Sequence, residues 1–362
     1  ALMKMTNEHI ISLAKALFAE QKQTFRLDGW LLIKEIEHKY TESVSNLPPM
    51  ERKAELLCHV AEELPISISD HAIFAGTQND AFARSYALIN PTFEVESFSG
   101  YCDPTAVFDD IEPNEEFSEE RINAMRKYDS QSPYVKALSE VYDNAHPLTD
   151  EATCFIEQVT GHVIPDFRPV LKDGVLSLIK YAEDKLNKAS ENEKSGLRAM
   201  RRSLDAVLIL AERYRKLALE KAESTNDNDV KSRMTEIAER LNKVPANGAD
   251  TLSEALQSFM LMWQVMCIEQ SPNPFAFSVG NADRIFEPYR AKENLDRETA
   301  SALFGHLLAF YNVADRSWAI SQNLIVSGRD VDGSDLTNTM SYAIMDAYYE
   351  MNLPQPILSV KL

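Results

Sequence analysis

Cysteine is scarce in this chain, and its four cysteines (Cys58, Cys102, Cys154, Cys267) lie far apart with no CxxC pair. A thiolate zinc site needs closely spaced ligand pairs, so the spacing excludes one. A disulfide framework belongs to small secreted domains, not to a 362-residue chain this poor in cysteine. Glycine is scarce too, with 11 residues, which points to much helix and few tight hairpins. No GxGxxG, no P-loop pattern and no HExxH occurs, so three common sites are absent. No run approaches the roughly 18 apolar residues of a membrane span. Cations are also in deficit: 37 Lys+Arg against 56 Asp+Glu give a formal charge of -19. A nucleic-acid face needs clustered Lys and Arg, and an anionic membrane attracts the same, so neither partner is expected. The opening residues Ala1-Leu2-Met3-Lys4-Met5 show no signal-peptide pattern. With the unpaired cysteines, this predicts a cytoplasmic protein.

What remains is ordinary globular composition, 44% hydrophobic and 26% charged. The length allows one large α/β domain or two smaller ones. Ile10, Ile11, Ala14, Leu17 and Phe18 share one helical face, and Trp30, Ile33 and Ile36 begin a second stripe. Pro48-Pro49 opens a third helix with Leu56, Val60 and Leu64 on its apolar side, and Pro65 ends it. Ile66-Ser67-Ile68 alternates like a short strand. Residues 70–116 are punctuated by Gly and Pro yet rich in aromatic rings, which predicts an ordered excursion packed on the body. Residues 175–244 predict two antiparallel helices, broken near Ser190 to Gly196 or near Thr225 to Asn228.

The last third changes character. Thr251-Leu252-Ser253-Glu254 has the pattern of a reciprocal capping box, followed by a strongly apolar helix (Ala255, Leu256, Phe259, Met260, Trp263). Then come a strand at Pro274 to Val279, a helix at Ala300 to Val313, and a strand at Gln322 to Ser327. A helix at Asp335 to Glu350 and a strand at Pro356 to Leu362 complete the run. Short connections between alternating strands and helices predict a parallel β-α-β-α-β sheet. Ile357-Leu358-Ser359-Val360-Lys361-Leu362 predicts a sheet that further chain or a partner completes. The domain expectation is a helical region over 1–250 and a sheet-bearing region over 251–362.

Two segments suggest a site. In Gly161-His162-Val163-Ile164-Pro165-Asp166 a helix from Thr149 to Val159 stops at glycine and Pro165 fixes the exit. That leaves His162 as a hydrogen-bond donor or proton shuttle with Asp166 as its orienter. A satisfied loop histidine is the plain alternative. In Phe275-Ala276-Phe277-Ser278-Val279-Gly280-Asn281-Ala282-Asp283 a strand runs into a loop. Ser278 and Asn281 are candidate ligand contacts there, and Asp283 and Arg284 read equally as loop structure. The acids of Asp330 to Asp335 lack the calcium-loop register, and Ser334 or Asp335 as a helix N-cap explains them.

Six stretches together resemble the glycyl radical enzymes of the pyruvate formate-lyase family, nearer to its diol-dehydratase-like branch. They are Pro65 to Gly76, Gly161 to Gly174, Thr251 to Gln257, Phe277 to Tyr289, Asn323 to Ser341 and Leu353 to Lys361, in family order. The resemblance implies an α/β, mostly helical fold: an N-terminal helical region plus the first parallel half-barrel of a ten-stranded barrel. It implies a lyase or dehydratase acting on a small polar metabolite through a thiyl radical. It places His162 near the substrate and Ser278 beside the pocket. Where the family usually has Gly-Arg, this chain has Gly280-Asn281. No cofactor is expected bound. The glycyl radical, installed by an S-adenosylmethionine-dependent activating enzyme, and the thiyl cysteine both belong to elements beyond the matching stretches. No catalytic residue and no metal ligand is therefore expected here, and the chain alone is expected to be inactive. The expected partners are the C-terminal half of the enzyme or a companion chain, the activating enzyme, and further copies in a homo-oligomer. A non-catalytic binding or scaffold protein derived from the family is the competing reading.

Overall fold

The computed structural model describes residues 5–21, 28–76, 118–131, 163–269, 277–312 and 322–362, with a few more between 133 and 144. The expected helix at Thr149 to Val159, and the aromatic excursion from residue 77 onward, lie outside them.

Helices dominate. α1 (Asn7–Gln21), α2 (Asp28–Tyr40) and α3 (Pro49–Glu63) form where the apolar stripes predict. α3 starts with Pro49 in its first turn, where the missing N–H costs nothing. α4 (Glu119–Ser130) and the short α5 (Arg168–Asp173) follow.

Residues 175–241 hold three helices, not two, because both expected breaks occur: α6 (Val175–Leu186), α7 (Glu191–Ser224) and α8 (Asn228–Leu241). At the first break the Ser190 N–H donates to Glu193 Oε2 at 3.0 Å. At the second, Asp227 Oδ1 accepts from the N–H groups of Asp229 and Val230. Each break thus satisfies first-turn donors that a longer helix would bond internally.

The apolar α9 (Leu252–Glu269) begins at the predicted place. Only half of the capping box forms. The Glu254 N–H donates to Thr251 Oγ1 at 3.1 Å, but the Glu254 carboxylate accepts from the Asp250 N–H and from Lys243.

Ile66-Ser67-Ile68 is not a strand. Among the described residues it has no neighbouring strand, and Lys221 donates to the Ile68 carbonyl instead. Further along the same segment Arg233 donates to the Asp70 carbonyl and Arg240 to that of Ile73. Gln257 then closes a two-way pair with the Ala75 backbone.

The sheet is small and parallel, in the order β1 (Gly280–Asn281), β2 (Asn323–Ser327), β3 (Ile357–Lys361). Gly280 pairs with Leu324, Asn323 with Ile357 and Ser327 with Lys361. The first strand falls later than the predicted Pro274 to Val279. Phe277 forms only an isolated parallel bridge, to Val163, and residues 270–276 lie outside the described ones. Between β1 and β2 stand α10 (Ala282–Glu293) and α11 (Arg297–Tyr311). α10 was hidden in the sequence by Pro288 in its interior.

α12 (Thr339–Met351) begins four residues after the predicted Asp335. Its N-cap is Asn338, whose side-chain oxygen accepts from the Ser341 N–H. Asp335 instead accepts from the Thr337 N–H, and Leu336 donates to the Gly328 carbonyl. Residues 329–336 therefore fold back on the exit of β2 before the helix starts.

One continuous apolar core runs from α1 to β2. Every residue from Ala300 to Tyr311 of α11 is buried in it. Trp263 meets Tyr311 edge-on at 5.0 Å, and Phe259 meets Phe286 at 5.7 Å, geometries that suit aromatic quadrupoles.

Candidate functional site at the start of the parallel sheet

The amino end of the sheet is where the candidate residues gather. The Ser278 N–H donates to the Val163 carbonyl at 3.0 Å, which holds Val163 beside the sheet. Trp263 Nε1 donates to the Phe277 carbonyl at 3.0 Å and pins the same segment from below. Next, the Val279 N–H donates to the Asn323 carbonyl. Gly280 has φ +77°, and a side chain there would stand 2.7 Å from Ile164 Cγ2. Glycine is thus required twice over, by its backbone and by the close approach of the turn.

Ser278 is 6% exposed, and its Oγ accepts the Asn323 N–H at 3.0 Å. That bond orients the oxygen and leaves the hydroxyl hydrogen uncommitted among the described residues. Asn323 Nδ2 donates across to Ser359 Oγ at 3.2 Å, while its Oδ1 is buried without a partner. Ser278, Asn323 and Ser359 therefore make a polar line across the three strands.

The other candidates fall as follows. His162 lies outside the described residues, next to Val163. Asp166 is exposed, and its carboxylate accepts from Arg168 Nε, Nη2 and N–H at 2.8, 2.9 and 3.1 Å. The Arg168 guanidinium holds that carboxyl below its ordinary range. Asn281 is half-buried, pairs with Ile325, and makes no side-chain cap for α10.

Two residues of this region do more than the sequence reading gave them, one unnamed there and one read only as loop structure. Asn323 is one; its signal is a lone amide opening an apolar strand. The other is Asp283, fully buried at the start of α10. Its Oδ2 accepts from the Ser327 N–H and from Ser341 Oγ, both at 2.6 Å, and its Oδ1 from the Arg284 N–H at 2.8 Å. It ties β2, α10 and α12 together, which is a structural task.

Among the described residues no group of three His, Cys, Asp or Glu could hold a metal ion. The carboxylates of Asp330, Asp332 and Asp335 accept from N–H groups of their own turn. No described helix is long and apolar enough to cross a membrane. Cys58 is buried, its thiol donates to the Arg202 carbonyl, and burial pushes it up to about 12, so it is not a reactive thiolate.

Known proteins carry the same architecture. The B12-independent glycerol dehydratase from Clostridium butyricum superposes with a TM-score of 0.78 at 23% identity, over all of this chain and 48% of its own. Hydroxyproline dehydratase from Clostridioides difficile gives 0.77 at 23%, again over 100% of this chain and 48% of its own. In sequence, the trans-4-hydroxy-L-proline dehydratase of Clostridioides difficile is 30% identical over 234 residues, 58% of this chain and 29% of that protein. An isethionate sulfite-lyase of Desulfovibrio desulfuricans is 26% identical over 222 residues, 55% of this chain and 27% of that protein. The chain thus spans about half the length of the solved structures and less of these two curated relatives. The family model described as Pyruvate formate lyase-like matches residues 5–362. A match over nearly the whole chain, with the same helix-flanked parallel sheet, makes this protein a member of the pyruvate formate lyase-like family of glycyl radical enzymes.

Proposed function

We propose that this chain supplies the substrate-facing first half of a cytoplasmic glycyl radical dehydratase or lyase acting on a small polar metabolite. The observation that carries the reading is Ser278. Its oxygen is anchored by the Asn323 amide, and its hydrogen is left to donate. A substrate hydroxyl or acid group is the acceptor that a buried, oriented O–H suits. From the sequence, His162 and Asn281 are proposed as further substrate contacts. Asp166, held by Arg168, stiffens the turn that follows His162. Hydrogen abstraction itself belongs to a thiyl cysteine and a glycyl radical on elements that these residues do not include. Buried Cys58 is no substitute for that cysteine. The partners are then the rest of the enzyme, an S-adenosylmethionine-dependent activating enzyme, and further copies in a homo-oligomer.

The test is reconstitution. The 362-residue chain with activating enzyme, reductant and S-adenosylmethionine gives no glycyl radical doublet by electron paramagnetic resonance. Adding a polypeptide with the radical glycine and the thiyl cysteine gives the doublet and turnover of one of trans-4-hydroxy-L-proline, isethionate or glycerol. Ser278→Ala then lowers kcat/KM by about tenfold to a hundredfold, the value of a hydrogen bond in a buried site. A doublet from the chain alone, or Ser278→Ala at wild-type efficiency, refutes this assignment.

A further inference from the structure

The peptide that carries Ser278 is held in place without regular strand pairing. β1 begins only at Gly280, and ahead of it Phe277 has a single isolated bridge, to Val163. A peptide unit offers one carbonyl and one N–H, pointing opposite ways. Between Phe277 and Ser278 both are taken. Trp263 Nε1 donates to the Phe277 carbonyl, and the Ser278 N–H donates to the Val163 carbonyl, each at 3.0 Å. With both ends of the peptide plane fixed, the Ser278 side chain leaves the backbone in one direction. Its Oγ then meets the Asn323 N–H.

Of these anchors, Trp263 is the one set most firmly from elsewhere. It is fully buried on α9, and its ring meets Phe310 edge-on at 5.3 Å and Tyr311 at 5.0 Å, both on α11. Packing around Phe277 is looser. That residue borders an apolar cavity of about 520 Å³ that Met262, Val265 and Met266 also line. A segment beside a cavity has room to shift, so hydrogen bonds decide where it rests. A buried indole N–H needs an acceptor, and here the acceptor is the carbonyl immediately before Ser278.

We infer that Trp263 is a positioning residue for Ser278: its indole N–H, acting through the Phe277 carbonyl, fixes where the serine hydroxyl points. This role for Trp263 rests on the part in substrate binding proposed for Ser278, and it extends the site to a core residue of α9.

Two measurements test it, one of them independent of turnover. Trp263→Phe keeps an aromatic ring in the core and removes the N–H. In the 362-residue chain, deuterium exchange at the Ser278 amide should then quicken by about tenfold more than at the Leu210 amide, the value of one hydrogen bond. Leu210 is a buried residue of α7 and reports the general loss of stability. In the reconstituted enzyme Trp263→Phe should lower kcat/KM by about tenfold, and should lower it no further once Ser278→Ala is present. A tryptophan that only supports the fold lowers efficiency by the same factor in both backgrounds. Equal quickening at Ser278 and Leu210 overturns the proposal, as does an undiminished loss in the Ser278→Ala background. Ser278→Ala at wild-type efficiency sinks the substrate-binding role instead, and the exchange measurement then judges the positioning alone. Should Trp263→Phe fold poorly, the wild-type chain decides: the Trp263 indole N–H and the Ser278 amide should open together across a urea series, and separate openings overturn the proposal.

Discussion

His306 sits in the core of α11, fully buried, with Nε2 donating to the Ile10 carbonyl at 2.9 Å and Nδ1 without a partner. Burial pushes its pKa from 6.5 down to about 4, and the charges of Arg233 and Arg240 act in the same direction. The native state therefore holds a neutral imidazole, whereas an unfolded chain protonates it near pH 6.5. The stability this contributes is complete above pH 6.5 and is lost as pH falls toward 4, on the order of 3 kcal/mol in all. His306→Gln should flatten the dependence of Tm on pH between 6.5 and 4, measured against wild type. An unaltered slope would show that other groups govern acid lability. Arg240 lies close by, partly buried, donating to the Ile73 carbonyl and lying over the Phe74 ring at 4.9 Å. Desolvation lowers it only to about 10, so it keeps its charge at neutral pH.

Among the elements, the joint of β2, α10 and α12 is centred on one buried carboxylate. Removing it as Asp283→Ala leaves the buried Ser327 N–H without its acceptor and the Ser341 hydroxyl with only the Asn338 Oδ1 at 3.5 Å. The expected loss is about 3 kcal/mol, read as a lower urea midpoint. Asp283→Asn keeps an acceptor and should lose less. The parallel order of the strands and the places of α9, α11, β2 and β3 were legible in the sequence. Apolar runs bounded by Gly, Asn and Pro state the element type whatever packs against them. The misreadings share a cause: a distant partner overrode the local pattern. Ile66 to Ile68 alternates like a strand, but a helix side chain, Lys221, takes the Ile68 carbonyl. Asp335 looks like an N-cap, but Leu336 is claimed by Gly328 across the turn. Ser278 was singled out as lying just past the carboxyl end of a strand, whereas it precedes β1 at the amino end of the sheet. Asn323, which orients it, was not, because their contact spans 45 residues of sequence.

At the scale of the molecule the sheet is covered unevenly. Leu324 and Val326 are buried against the helices, while β3 keeps Ile357 and Val360 half exposed, at 48% and 50%, with Leu362 fully exposed. An open parallel edge with apolar side chains invites association. The 362-residue chain should bind a hydrophobic dye or self-associate at micromolar concentration, and Ile357→Lys with Val360→Lys should abolish either. A sharply monomeric chain that binds no dye would count against this.

The bond from His306 to Ile10 joins residues 296 apart in sequence. It also has a clock in it. α1 leaves the ribosome well ahead of α11, and its face of Ile10, Leu13, Ala14 and Leu17 is buried in a core to which α11 contributes. At ~10 residues per second, α11 follows about half a minute later. For that interval the first helix has no native surface to lie against. Until α11 arrives, that apolar face is the kind of surface a chaperone covers on a nascent chain.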